Sequence, residues 1–175
     1  MEKALPWIGG SAVLAIIVAV ALAPTCGIAP PTLDAPEFTM TIAAGEGIGD
    51  RVVLDRLEGQ VVVLDFWASW CAPCRRSVPI LNRVAERFPR ALVYGVNVEP
   101  SDAGTLQRRH RELGAAFPTF HDPTGELQDR YDVANLPTLV VVDGSGQIRH
   151  FASGIPDENS LIALLDELLP PSASP

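Results

Sequence analysis

The dithiol motif Cys71-Ala72-Pro73-Cys74 closely follows an apolar run, Val61 to Leu64, that predicts a buried strand. Two residues separate the thiols, so Cys71 can lie at the N-terminus of the next helix, where unpaired peptide N–H groups and the helix dipole stabilise a thiolate. The pKa of such a cysteine falls from about 8.5 to between roughly 3.5 and 7.5. Pro73 lacks an N–H group and suits the first turn of that helix. The stretch therefore predicts a strand, a redox-active dithiol and a helix, in that order.

A dithiol of this kind exchanges disulfides in two steps. We expect the Cys71 thiolate to attack a client disulfide, and Cys74, one helical turn further on, to attack the resulting mixed disulfide and release the client. Two other uses of the motif stay open: half of a four-ligand zinc site, or a structural disulfide. Zinc would need two more ligands, and the candidates are scattered without ligand spacing: Cys26, His110, His121 and His150.

The residues around the motif resemble the thioredoxin superfamily and, within it, the membrane-anchored TlpA/ResA/DsbE-like thiol-disulfide oxidoreductases. The resemblance extends over roughly residues 35–169, and its most specific part is Val61 to Arg76, which is similar to the strand, active site and helix start of that family. It implies an α/β, thioredoxin-like fold, with a central mixed β-sheet flanked by helices. It also implies a cis-proline, Pro137, facing the dithiol, and X-Pro is where cis bonds occur.

Asp65 places a charge inside the otherwise apolar strand, which usually requires a reason. It matches the buried acid of cytoplasmic thioredoxins, and burial would raise its pKa and allow it to relay a proton to Cys74. The alternative is a solvated acid at a strand end. The lysine that neighbours this acid in thioredoxin is replaced here by Gly95.

Two further residues complete the candidate site. Trp70 is expected to form a partly exposed platform beside Cys71. The family resemblance implies that the backbone near Pro137 holds an extended client segment by strand-like hydrogen bonds. The candidate catalytic residues are therefore Cys71, Cys74, Asp65, Pro137 and Trp70, and we expect neither a cofactor nor a metal ion.

The N-terminal segment predicts the compartment. Residues 4–33 carry no charge, and residues 7–23 are almost wholly apolar, about the shortest length that spans a bilayer. An uncleaved anchor is favoured over a cleaved signal peptide or a lipoprotein signal, because Pro24 would hinder cleavage and Thr25 makes a poor lipobox before Cys26. An anchor, a signal peptide and a lipoprotein signal would each place the catalytic domain on the extracytoplasmic side.

The domain organisation follows from these patterns and from proline content. We predict an N-terminal transmembrane anchor or signal segment over residues 1–23, a Pro-rich linker over 24–36, a thioredoxin-like domain over 37–169 and a disordered tail over 170–175.

Apolar periodicity and turn residues predict the individual elements. The predicted strands are Phe38–Ile42, Arg51–Leu54, Val61–Trp67, Ala91–Val98, Phe117–His121, Leu139–Val142 and Ile148–Ala152. The predicted helices are Arg75–Phe88, a helix capped by Ser101 and ending at Leu113, Glu126–Tyr131 and Asp157–Leu169. The basic cluster Arg108-Arg109-His110-Arg111 is interpreted as a solvated helix face.

The function expected from these features is an extracytoplasmic, membrane-anchored thiol-disulfide oxidoreductase that reduces disulfides in client proteins. The resemblance implies apocytochrome c or copper-site assembly proteins as clients, and a membrane thiol transporter as the electron donor. A formal net charge of −8 argues against nucleic-acid binding. Three different functions stay open: a thiol oxidant, a Sco-like copper metallochaperone, and a peroxidase, because Ala35-Pro36-Glu37-Phe38 resembles an opening shared with peroxiredoxins.

Overall fold

The apolar run that precedes the dithiol forms the central strand of the sheet. The computed structural model describes residues 33–169, and all seven residues of this strand are buried. One neighbouring strand runs parallel to it and the other antiparallel, so the sheet is mixed. The strands of the described residues are β1 (Leu33–Asp34), β2 (Thr39–Ala44), β3 (Arg51–Val53), β4 (Val61–Trp67), β5 (Ala91–Asn97), β6 (Thr119–His121), β7 (Thr138–Val142) and β8 (Gln147–Ser153).

These strands pair in the order β1-β8-β7-β4-β5-β6-β2-β3. Strands β4, β5 and β6 are parallel, and the other pairings are antiparallel. The helices of the described residues are α1 (Ala72–Arg87), α2 (Ala103–Leu113), α3 (Glu126–Arg130) and α4 (Glu158–Leu168), with a 3-10 turn at Leu54–Leu57. The predicted thioredoxin-like α/β fold, with a central mixed sheet flanked by helices, is confirmed.

Apolar side chains cover both faces of β4. Leu64 packs in one cluster with Leu127 of α3. Val63 packs in a second cluster with Leu81 of α1. Because successive side chains of a strand point to opposite faces, Asp65 shares the face of Val63, which is the face covered by α1. The helix that carries Cys74 therefore lies over the acid.

The helix after the dithiol begins earlier than predicted. Helix α1 starts at Ala72 rather than at Arg75, because Cys71 serves as its N-cap and Pro73 occupies its first turn. It continues through Pro79 to Arg87, one residue short of the predicted end.

Helix α2 differs from its prediction in its cap and in its basic face. Asp102, not Ser101, caps it, and its carboxylate accepts a hydrogen bond from the N–H of Thr105 at 2.9 Å. The prediction of a solvated basic face was wrong for two residues. Arg109 forms an ion pair with a buried glutamate, and His110 is buried with its Nε2 donating to a backbone carbonyl, because both positions lie on the inward side of the helix.

The chain ends of the described region also differ from expectation. Leu33 and Asp34, inside the predicted linker, pair with β8 as a short edge strand, and the N–H of Ala35 donates to the carbonyl of Gly146. The predicted anchor over 1–23 and tail over 170–175 lie outside the described residues. None of the helices between residues 33 and 169 is long and apolar enough to cross a membrane.

Candidate active site

Cys71 and Cys74 form a disulfide at the N-terminus of α1, with their Cα atoms 5.3 Å apart. The Sγ atom of Cys71 accepts a hydrogen bond from the N–H of Cys74 at 3.2 Å. Cys71 retains 4% of its surface and Cys74 none. The sequence motif thus folds as expected. Sγ of Cys71 lies on a free N–H group in the first turn of the helix, and Cys74 is fully buried. This arrangement can stabilise a thiolate at Cys71.

The two tryptophans near the dithiol have opposite environments. Trp70 is 71% exposed, immediately before Cys71. Trp67 is buried in a cluster that includes both cysteines. The side chain of Trp70 therefore forms part of the surface beside the dithiol.

Pro137 follows a cis peptide bond, as the family resemblance implied. Its carbonyl oxygen accepts a hydrogen bond from the N–H of Gly154 at 2.8 Å. The preceding residue, Leu136, packs against the cluster that contains Cys71 and Cys74, which places this loop beside the disulfide. The N–H and carbonyl groups of Leu136 have no hydrogen-bond partner among residues 33–169.

Asp65 is fully buried, so the interpretation as a solvated acid at a strand end is wrong. Neither of its carboxyl oxygens has a hydrogen-bond partner within the described part of the chain. Burial raises the pKa of Asp65 to about 8, because the charged form loses its hydration. At neutral pH the carboxyl group is mostly protonated.

Gly95 lies beside Asp65 in the register of β4 and β5. A Cβ atom at this position would lie 2.6 Å from Oγ1 of Thr119 and 2.9 Å from Nε1 of Trp67. Both of those atoms are buried and have no hydrogen-bond partner among the described residues. The interior next to the dithiol thus contains two unpartnered polar atoms that a side chain at this position of β5 would crowd, which the spacing of the sequence does not reveal.

Sequence analysis also missed Glu99, which is only 5% exposed. Its carboxylate accepts hydrogen bonds from Ser69, two residues before Cys71, and from Arg109 of α2. An acid shortly after the buried strand β5 was the available signal, because the C-terminal ends of the parallel strands β4 and β5 meet at the same edge of the sheet.

The histidines do not assemble with the dithiol. Nε2 of His121 lies 3.1 Å from the carbonyl oxygen of Glu99, and His150 lies on β8, the strand next to the edge strand β1. Between residues 33 and 169, no group of three or more His, Cys, Asp or Glu side chains is arranged to hold a metal ion.

Comparison with known proteins identifies the family. The model of the AhpC/TSA family matches residues 31–151, more than half of the chain, and the chain belongs to this family. Thiol-disulfide oxidoreductase ResA of Bacillus subtilis is 27% identical over 143 residues, which cover 81% of this chain and 77% of that protein.

Two solved structures agree with this assignment. A Chlorobium tepidum structure, solved as a thiol:disulfide interchange protein DsbE, superposes with a TM-score of 0.70 at 29% identity and covers 80% of this chain and 98% of its own. The exposed lipoprotein thioredoxin Etrx1 of Streptococcus pneumoniae gives 0.66 at 25% identity, with 76% and 100% covered. This chain is a thiol-disulfide oxidoreductase of the ResA and DsbE type.

Proposed function

We propose that this chain works outside the cytoplasm as a reductant of disulfides in client proteins. The observation that carries the disulfide exchange is the placement of Cys71 as the N-cap of α1, with its Sγ on the N–H of Cys74. The reducing direction and the compartment are proposed on the family resemblance and on the N-terminal sequence. A thiolate at this position is stabilised by the helix and can be reached from solvent, whereas Cys74 is shielded.

The reaction takes two exchanges. The thiolate of Cys71 attacks one sulfur of the client disulfide, forms a mixed disulfide, and releases the other client sulfur as a thiolate that takes a proton. Cys74 then loses its proton and attacks Sγ of Cys71, which forms the Cys71–Cys74 disulfide and releases the second client thiolate. Two electrons pass to the client, and a membrane thiol donor restores the dithiol.

We assign to Asp65 the role of accepting the proton that the Cys74 thiol loses. The acid lies on the face of β4 that α1 covers, and its raised pKa of about 8 allows it to exchange a proton near neutral pH. In its ionised form it accepts the proton of the Cys74 thiol, which is hard to reach from solvent.

The client segment is assigned to the surface between Trp70 and the Pro137 loop. The carbonyl of Pro137 is occupied by Gly154, so the N–H and carbonyl groups of Leu136 are the backbone groups left to pair with an extended segment. The exposed ring of Trp70 supplies an apolar contact beside Cys71.

The compartment and the partners rest on the N-terminal sequence and on the relatives. The uncharged, apolar segment over residues 7–23 supports a membrane anchor, and one relative is described as an exposed lipoprotein. We assign as clients the haem-site cysteines of apocytochrome c or copper-site assembly proteins, and as electron donor a membrane thiol transporter, on the family resemblance.

The equilibrium reduction potential tests the direction of electron flow. The full-length chain is equilibrated with dithiol buffers, and alkylation of Cys71 and Cys74 is followed by mass spectrometry. We expect a reduction potential close to that of thioredoxin, about −270 mV, or lower, whereas a potential of about −120 mV would make the protein an oxidant. Cys74→Ser should accumulate mixed disulfides with clients, and Cys71→Ser, the matched control, should not.

The same preparations distinguish a reductase from a metallochaperone and from a peroxidase. Stoichiometric copper binding that is lost on substitution of His121 or His150 would support a metallochaperone. Turnover of hydrogen peroxide that depends on Cys71 would support a peroxidase. Reduction of insulin disulfides that is lost in Cys71→Ser supports the proposed reductase.

A further inference from the structure

We propose that Glu99 is a positioning residue, which holds the segment before the dithiol so that the sulfur of Cys71 stays on the N-terminus of α1. The assignment does not depend on the direction of electron flow or on the client. It rests on hydrogen bonds that converge on one residue of that segment, Ser69.

Every polar group of Ser69 is bonded. Its N–H donates to Oε2 of Glu99 at 2.6 Å, and its hydroxyl donates to Oε1 at 2.9 Å. Its carbonyl accepts from the guanidinium of Arg75, the residue after Cys74, at 2.9 Å. The segment is thereby attached both to the end of β5 and to the first turn of α1.

The backbone on either side is also fixed. The N–H of Val98 donates to the carbonyl of Trp67 at 3.1 Å, and the N–H of Cys71 donates to the carbonyl of Ala68 at 3.1 Å. Ser69 lies inside the turn that the second bond closes, so the carboxylate of Glu99 completes the attachment of the segment from the end of β4 to Cys71.

Glu99 is itself held in place from three sides. Nδ2 of Asn97 donates to Oε2 at 3.2 Å, NH1 of Arg109 donates to Oε1 at 2.8 Å, and Nε2 of His121 donates to the backbone carbonyl at 3.1 Å. Burial acts to raise the pKa of Glu99, but the hydrogen bonds from Ser69 and Asn97 and the charge of Arg109 outweigh it, so the pKa lies below its ordinary value. A carboxylate that accepts four donors is ionised and rigid.

The chemical consequence concerns the cysteine two residues after Ser69. A thiolate at an N-cap is stabilised only while its sulfur points at the free N–H groups of the helix, and this depends on the backbone that enters the helix. If the segment loosens, Sγ of Cys71 spends time away from the N–H of Cys74, and the pKa of its thiol rises toward the ordinary value. Arg109, the partly exposed member of the ion pair, lies on α2, so α2 also helps to hold the segment before Cys71.

The test removes the ion pair without changing the net charge. The double variant Glu99→Gln/Arg109→Gln is compared with Arg83→Gln/Glu158→Gln, which removes an exposed pair that joins α1 to α4 at 2.6 Å. A glutamine has one acceptor oxygen and therefore cannot accept at both positions used by Glu99. The readout is the rate of alkylation of Cys71 in the reduced, full-length protein between pH 5 and 9, followed on the Cys71 peptide by mass spectrometry.

We expect the first double variant to raise the apparent pKa of Cys71 by about half a unit or more, roughly a threefold loss of thiolate below that pKa. The second double variant should keep the wild-type profile. A folded first variant with the wild-type profile overturns the proposal.

A milder variant serves if the double variant fails to fold. Ser69→Ala deletes one of the two bonds to Glu99 and keeps the ion pair. A smaller upward shift of the alkylation profile supports the proposal, and a wild-type profile for Ser69→Ala overturns it.

Discussion

Asp65 of β4 lies opposite Gly95 of β5 in the parallel register of the sheet. Because glycine has no side chain, the neighbouring strand offers the carboxyl group neither a cation nor a side-chain donor from that position. Both carboxyl oxygens are buried without a partner among the described residues, and burial raises the pKa of Asp65 to about 8. An acid in this state links the stability of the fold to pH.

We expect Asp65 to lower the stability of the fold as pH rises toward 8, and Asp65→Asn to remove this contribution. The carboxyl group ionises near pH 4 in the unfolded chain but only near 8 in the native protein, so the native state holds an extra proton between these values. The contribution of Asp65 to the free energy of unfolding should therefore decline by about 1.4 kcal/mol per pH unit in this window, and it is measured as the difference between the wild type and Asp65→Asn. Denaturant titrations of the oxidised protein at several pH values measure this slope.

The control for this prediction is Asp55→Asn, because Asp55 is an exposed acid on the 3-10 turn. The Asp55→Asn variant should keep the wild-type dependence of the free energy of unfolding on pH. Identical slopes for Asp65→Asn and the wild type would show that this carboxyl group does not titrate as its burial requires.

We expect Gly95→Ala to destabilise the fold through a steric clash. The added Cβ would lie 2.6 Å from Oγ1 of Thr119 and 2.9 Å from Nε1 of Trp67, both on buried side chains. Overpacking of this kind costs about 1 to 3 kcal/mol of the free energy of unfolding, measurable by chemical denaturation. Adding Thr119→Ala should recover part of the loss, because it removes the nearest atom. Simple additivity of the two substitutions would contradict the contact as the cause.

The sequence was sufficient to predict the parts of the site that depend on one short stretch of residues. The bounds of β4, the dithiol at a helix start and the burial of Asp65 follow from an apolar run with one charge and a Cys-x-x-Cys spacing. The cis bond at Pro137 came from the family resemblance alone. These features depend on neighbours within a few residues, or on a motif that is itself specific.

The remaining parts depend on contacts between distant segments. Glu99 and Arg109 lie on different elements, and periodicity indicates which face of a helix is buried but not which charge meets it. The edge strand at Leu33–Asp34 forms only because β8 offers it a partner, and its two residues have no pattern of their own. The space beside Gly95 likewise depends on a side chain from β6.

We expect Tyr131→Phe to lower the free energy of unfolding by about 0.5 to 1.5 kcal/mol, the usual contribution of one hydrogen bond. The hydroxyl of Tyr131 donates to the carbonyl of Pro36 at 2.9 Å, and this bond holds the segment that leads into β2. Urea denaturation measures the loss. Tyr94→Phe is the matched control, because Tyr94 stacks on Phe120 and its hydroxyl forms no hydrogen bond within residues 33–169. Equal losses in both variants would contradict a specific role for the bond to Pro36.

We expect Trp70→Ala to separate client binding from stability. Trp70 is 71% exposed, so the free energy of unfolding should stay within about 0.5 kcal/mol of the wild type. The rate of insulin reduction should nevertheless fall severalfold, because a protein client loses an aromatic contact beside Cys71. A small aromatic disulfide, which does not need that contact, should react at the wild-type rate. Ile48→Ala, in the turn between β2 and β3 and 55% exposed, should alter neither rate. A parallel loss with insulin and the small disulfide would mean that Trp70 acts on the dithiol itself rather than on the client.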